Sequence, residues 1–167
     1  AAVTLELSDG TRIDAACLVH AEGSSAGMQE KPYGQSALLA EIEVHPSARH
    51  CAWERFTPSG PLALLPFEGR YALVWGLPSA RADVLRDADP AAFLAGLQQA
   101  FGERAGRFAS VRDRWCAPLA LRRRARRVEG RQVYVGNAAQ TLHPVAGQGL
   151  NLGLRDAWAL ARVLRSD

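Results

Sequence analysis

The chain has 167 residues, 48% of them apolar and 22% charged, with a formal net charge of +3, a composition suited to a globular domain with a sizeable core. No apolar run approaches the ~20 residues needed to cross a bilayer, and no signal-peptide pattern opens the chain. Cys17, Cys51 and Cys116 are odd in number, far apart and without metal-type spacing, so they are expected to be reduced, buried thiols of a cytoplasmic protein, and no metal site is expected.

Residues 3–20 predict a hairpin followed by a further strand. Val3, Leu5 and Leu7 alternate with Thr4 and Glu6, and Ser8-Asp9-Gly10-Thr11 supplies the turn. Ile13 resumes on the return, and Cys17, Leu18 and Val19 form a second short apolar run before His20, Glu22, Gly23, Ser24 and Ser25.

From Tyr33 to Cys116 the pattern is that of an antiparallel meander. The segments Ala37–Val44, Cys51–Thr57, Leu62–Phe67 and Tyr71–Leu77 read as short strands, separated by His45-Pro46, Pro58-Ser59-Gly60 and Glu68-Gly69-Arg70. Trp53, Phe56, Phe67, Tyr71 and Trp75 place aromatics on this sheet, and each is read first as ordinary core. Asp89 is expected to cap a helix with Pro90 at its first position, Phe93, Leu94, Leu97 and Phe101 on its buried face, and Gly102 at its end. Phe108–Trp115 reads as the last strand of the layer.

The one charge run is Arg122-Arg123-Arg124-Ala125-Arg126-Arg127. An exposed, solvated turn is the first expectation, with contacts to a cofactor phosphate or a membrane surface as alternatives. Nucleic acid is not expected, because no interleaved aromatics or recognition-helix pattern accompany the run.

The last third organises the chain. Val133–Val135 reads as a strand buried on both faces, ending at Gly136. A helix follows whose predicted buried face holds Leu150, Leu154, Ala157, Trp158, Ala161 and Leu164. Between them lie Pro144, Gly147 and Gly149. The first turn of a helix leaves backbone N–H groups without intrahelical partners, and its dipole favours negative charge. Glycines let such donors approach a ligand without an intervening side chain, although the same residues could simply form a tight turn.

The residues themselves carry a resemblance. Gly136-Asn137-Ala138-Ala139-Gln140, His143-Pro144, Gly147-Gln148-Gly149-Leu150-Asn151 and Asp156-Ala157 resemble the second FAD-binding motif of the aromatic-ring flavin monooxygenases, with the ubiquinone-biosynthesis hydroxylases as the most similar branch. Glu54–Thr57, Gly60–Pro66 and Pro118–Leu121 support that branch, and the likeness runs from near residue 3 to near residue 165. Two features depart from the family pattern. Glu22-Gly23 stands where relatives have Asp-Gly, with no arginine following before Arg49. The family's first motif, a Gly-x-Gly-x-x-Gly turn, is absent. A C-terminal fragment is therefore expected, one that holds FAD poorly alone. The strands at Cys17–Val19 and Val133–Val135 are expected to lack parallel partners and to offer apolar edges for self-association.

The resemblance implies an α+β / α/β fold: a partial FAD-binding Rossmann-like domain (residues 1–25 and 117–167) and a substrate domain (26–116) with an antiparallel sheet and covering helices. It also implies FAD as cofactor, NADPH or NADH as reductant, and O2 and a prenylated phenol as substrates of a hydroxylase in ubiquinone biosynthesis. Cofactor contacts are expected from Gly136, Asn137, Pro144, Val145, Gly147, Gln148, Gly149, Leu150 and Asn151; His143, beside Pro144 in a loop, is read first as structural and is the candidate catalytic base as the alternative. A cytoplasmic protein with peripheral contact to the inner membrane or to other pathway proteins would suit a prenylated substrate. The competing expectations are a non-hydroxylating flavoenzyme of the same fold and a non-catalytic interaction module.

Overall fold

A computed structural model describes residues 2–23, 26–46 and 50–165; Ser24, Ser25 and Arg49 lie outside the described residues. In chain order the elements are β1 (Val3–Glu6), β2 (Arg12–Ala15), β3 (Leu18–His20), β4 (Gln29–His45), β5 (Trp53–Thr57), β6 (Gly60–Phe67) and β7 (Arg70–Pro78). They are followed by α1 (Ser79–Asp87), α2 (Pro90–Phe101), β8 (Arg107–Arg123), β9 (Val128–Glu129), β10 (Gln132–Tyr134), β11 (Gln140–Thr141) and α3 (Gly149–Leu164). Short 3-10 turns occupy Gly136–Ala138 and Pro144–Ala146. The chain forms two compact units, one of residues Ala1–Lys31 and Ala120–Asp167, the other of Pro32–Leu119.

In the first unit the predicted hairpin is present: β1 pairs antiparallel with β2 from Val3↔Ala15 to Glu6↔Arg12. Its turn is closed by the Gly10 N–H donating to the Leu7 carbonyl at 3.0 Å, with Gly10 at φ 83° where a side chain would be strained. The expectation of unpartnered strands is corrected. β10 pairs parallel with β3 (Val133↔Val19) and antiparallel with β9, so β10 is the central strand of three, with β3 and β9 at the edges. Tyr134 is buried, whereas Val133 and Val135 are half-buried, because a three-stranded sheet covers its middle strand less than a wide one would.

The face expected to be buried on α3 is a second correction. Leu150, Leu154 and Trp158 are 73%, 60% and 68% exposed. The helix instead turns Leu152, Gly153, Asp156 and Leu160 inward as a half-buried side. A carboxylate and a glycine decide this orientation: Asp156 accepts from a backbone N–H of the turn at Gly136–Ala138, and Gly153 permits close approach to it. The apolar stripe lies on the other side of the cylinder.

In the second unit the strand order is β8-β4-β7-β6-β5, and the pairings of β4 with β7, β5 with β6 and β6 with β7 are antiparallel. Alternation along the strands sends Leu38, Ile42, Leu62, Leu64, Tyr71, Leu73, Trp75 and Leu77 to one face. That face is covered by Ala82 of α1 and Phe93, Leu97 and Phe101 of α2, all at or near zero exposure. Of the aromatics expected as core, Tyr71 and Trp75 are buried, Trp53 packs at the margin, and Phe56 and Phe67 are exposed on the alternate face or at the strand end. The expected boundaries of α2 are present: Asp89 accepts from the Ala92 N–H at 3.0 Å, Pro90 is the first helical residue, and Gly102 closes the helix at φ 82°. α1 was not foreseen, since its start at Pro78 has no side-chain cap. The three cysteines are free but half-buried rather than buried, and Cys116 packs against the core of the second unit.

Candidate functional site

The site begins where β10 ends. Val135 donates to the His20 carbonyl at 3.0 Å, extending the parallel pairing, and the chain then turns at Gly136, whose φ of 57° suits glycine. A Cβ added to Gly153 would stand 3.4 Å from the Gly136 Cα, so two glycines set the closest approach of α3 to this turn. Ala138 and Ala139 are buried beneath it, while Asn137, between Gly136 and Ala138, is exposed. The amide of Asn137 is thus presented outward from a fixed backbone.

The turn is braced on two sides. The Gly136 N–H donates to Asp156 Oδ2 at 3.2 Å, and Asp156 Oδ1 lies 3.6 Å from the Arg127 guanidinium, which also donates to Gln140 Oε1 at 2.7 Å. On the opposite flank Arg124 donates from Nε to the Ala138 carbonyl at 3.1 Å and from its backbone N–H to the Ala139 carbonyl at 2.9 Å. The arginine run therefore divides. Arg124 and Arg127 are structural, Arg122 pairs with Glu30 at 2.7 Å, and Arg123 and Arg126 are exposed.

His143 precedes the second 3-10 turn and caps it: its Nδ1 accepts from the Val145 N–H at 3.2 Å, which puts the proton of a neutral ring on Nε2. Pro144 sets the first position of that turn, and Gly147 ends it in the left-handed region at φ 58°. Gln148 then opens α3 with no side-chain cap, and no acidic residue occupies the first turn. The N–H groups of Gly149, Leu150 and Asn151 consequently have no intrahelical acceptor, and residues 147–151 are all exposed. A Cβ built on Gly147 or Gly149 meets nothing within 4 Å. A positive helix end thus starts among exposed residues with no side-chain cap and no carboxylate in its first turn, and the arrangement fits an anionic or electron-rich group such as a flavin.

All the candidate site residues, Gly136 to Asn151, lie in the first unit, on two turns and one helix start. Sequence reasoning missed the bracing side chains Arg124, Arg127 and Asp156; the last lay in the quoted motif, but its bond to Gly136 spans twenty residues. Among the described residues no group of three or more His, Cys, Asp or Glu is placed to hold a metal, and no helix is long and apolar enough to cross a membrane.

The chain is similar to known proteins over nearly all of its residues. The family described as FAD binding domain matches residues 2–166. Ubiquinone hydroxylase UbiL of Rhodospirillum rubrum is 40% identical over 97% of this chain and 40% of its own length. The 3-demethoxyubiquinol 3-hydroxylase of Escherichia coli is 34% identical over 96% of this chain and 43% of its own. Among solved structures, PqsL, a probable FAD-dependent monooxygenase from Pseudomonas aeruginosa, superposes with a TM-score of 0.76 at 23% identity, covering 97% of this chain and 49% of PqsL. The chain spans about two fifths of the length of these curated relatives. With the match extending over nearly all of its residues, the chain belongs to the FAD binding domain family.

Proposed function

We propose that the whole protein, meaning this chain with any further sequence of its reading frame, is an FAD-dependent hydroxylase of a prenylated phenol in ubiquinone biosynthesis. The single observation that carries the reading is the uncapped, glycine-flanked start of α3, whose first turn is exposed and holds no acidic residue. Similarity to two ubiquinone hydroxylases supports the substrate class.

Bound FAD, reduced by NADPH or NADH, would supply the oxygen-activating chemistry. The chain's own contribution is binding and shielding. The N–H groups of Gly149, Leu150 and Asn151 would hold the electron-rich part of the cofactor, as helix starts do where negative charge gathers. Gly147 and Gln148 would let that backbone come close, Pro144 and Val145 would exclude water, and the exposed amide of Asn137 would offer a hydrogen bond to a hydroxyl of the cofactor. We assign His143 to holding its turn rather than to proton abstraction, because its Nδ1 is already committed to the Val145 N–H. The antiparallel sheet of the second unit is assigned to the phenol.

The test is NAD(P)H oxidation by the whole protein with a prenylated phenol, with the product resolved by mass. Substrate-stimulated oxidation with gain of one oxygen atom is expected. Oxidation without an oxygenated product would identify a non-hydroxylating flavoenzyme, and no flavin binding at all would leave an interaction module.

A further inference from the structure

We propose that Arg124 is a positioning residue of the candidate cofactor site, fixing through its guanidinium fork the turn that presents Asn137; this rests on the reading of the site given above. A 3-10 turn is weakly held from within. Here the internal bonds are Ala138 N–H to the Val135 carbonyl at 3.2 Å and Ala139 N–H to the Gly136 carbonyl at 3.0 Å. Gly136 adds conformational freedom at the entry. External contacts must therefore decide where the turn sits.

On the Ala138–Ala139 side those contacts converge on Arg124. Its Nε donates to the Ala138 carbonyl at 3.1 Å, its backbone N–H to the Ala139 carbonyl at 2.9 Å, and a terminal nitrogen to the Ala26 carbonyl at 2.9 Å. The guanidinium lies 3.8 Å from the centre of the Tyr134 ring, and that ring stacks with His20 at 4.4 Å and an interplanar angle of 14°. One side chain thus joins the end of β8, the bend at Ala26, the buried ring of β10 and the turn that follows it. Ala138 and Ala139 are buried, so a carbonyl that lost its donor there would have little access to water in exchange.

The fork matters as well as the charge. A lysine offers a point charge on a flexible stem and cannot reach carbonyls of two segments while stacking flat on an aromatic ring. A side chain that only supplied positive potential to an anionic ligand would tolerate that replacement.

The experiment combines FAD titration of the whole protein with amide hydrogen exchange of this chain, for wild type, Arg124→Met, Arg124→Lys and Tyr134→Leu. The expected result is a loss of FAD affinity of about tenfold in both Arg124 variants, the scale of one lost charge-assisted hydrogen bond. Faster exchange is expected at the amides of residues 137–140, with protection retained where β3 pairs with β10. Tyr134→Leu, which removes the ring beneath the guanidinium and leaves the carbonyl contacts, is expected to weaken FAD by a smaller factor. Wild-type affinity in Arg124→Lys with loss in Arg124→Met would overturn positioning in favour of simple charge. Unchanged affinity in both would overturn the inference while leaving the site reading intact. Should the Arg124 variants unfold, unchanged affinity in Tyr134→Leu overturns it, and a smaller loss there supports it. A wild-type protein that takes up no FAD would overturn the site reading itself and reduce Arg124 to a brace of the fold.

Discussion

Asp156, on the second turn of α3, accepts a hydrogen bond from the backbone N–H of Gly136 at 3.2 Å, tying the helix to the end of β10. The carboxylate is largely shielded and also neighbours Arg127 at 3.6 Å. A hydrogen bond to a charged acceptor contributes about 1.5–3 kcal/mol. Asp156→Ala is therefore expected to lower the melting temperature by several degrees and to speed exchange of the Gly136 amide. Asp156→Asn keeps an acceptor and loses only the charge, so its effect should be clearly smaller. Equal losses in a thermal melt would mean that the bond to Gly136 contributes little.

Gly153 faces the same turn. A Cβ there stands 3.4 Å from the Gly136 Cα, at the near edge of ordinary contact. Gly153→Ala should be close to neutral, since the helix-propensity gain of about 1 kcal/mol offsets a slight crowding. Gly153→Leu must displace the turn and is expected to cost about 1–3 kcal/mol, the usual scale of overpacking. Denaturant midpoints of the two variants measure the difference, and a Leu variant as stable as the wild type would show that the approach is not tight.

In the second unit, Glu43 Oε2 accepts from the Ser110 hydroxyl at 2.8 Å, with Arg70 and His45 also near the carboxylate. The Ser110 hydrogen bond first, and then the charges of Arg70 and His45, hold the Glu43 carboxyl below its usual range. A carboxyl whose pKa is lowered on folding stabilises the fold above its unfolded pKa, and this contribution is lost as pH falls through the folded value. Ser110→Ala is expected to move the Glu43 titration upward and to shrink the acid-side loss of stability. An NMR titration of the Glu43 side-chain carbon follows this directly; an unmoved midpoint contradicts the assignment.

Local signals in the sequence carried much of the fold. Asp89, Pro90 and Gly102 bound α2 because capping chemistry acts over three or four residues, and Asp9-Gly10 marks the β1–β2 turn for the same reason. Orientation was less legible. The stripe of Leu150, Leu154 and Trp158 reads as the inner face of α3 by period alone, yet a single carboxylate and a single glycine turn another side inward. The positions of the candidate site were legible as a motif, whereas Arg124 read as one more exposed charge. Its partners at Ala26 and Ala138 lie 98 and 14 residues away, and no local pattern announces such contacts.

The most direct measurement of the central claim is FAD binding by the whole protein with Gly149→Val, paired with the melting temperature of the same variant in this chain. Gly149 is not in the left-handed region, and an added Cβ meets nothing within 4 Å, so the fold should keep its stability. An unchanged melt is expected, with flavin binding weakened at least tenfold, because branched methyls would stand near the donors that start α3. Flavin binding equal to wild type in the folded variant would contradict it.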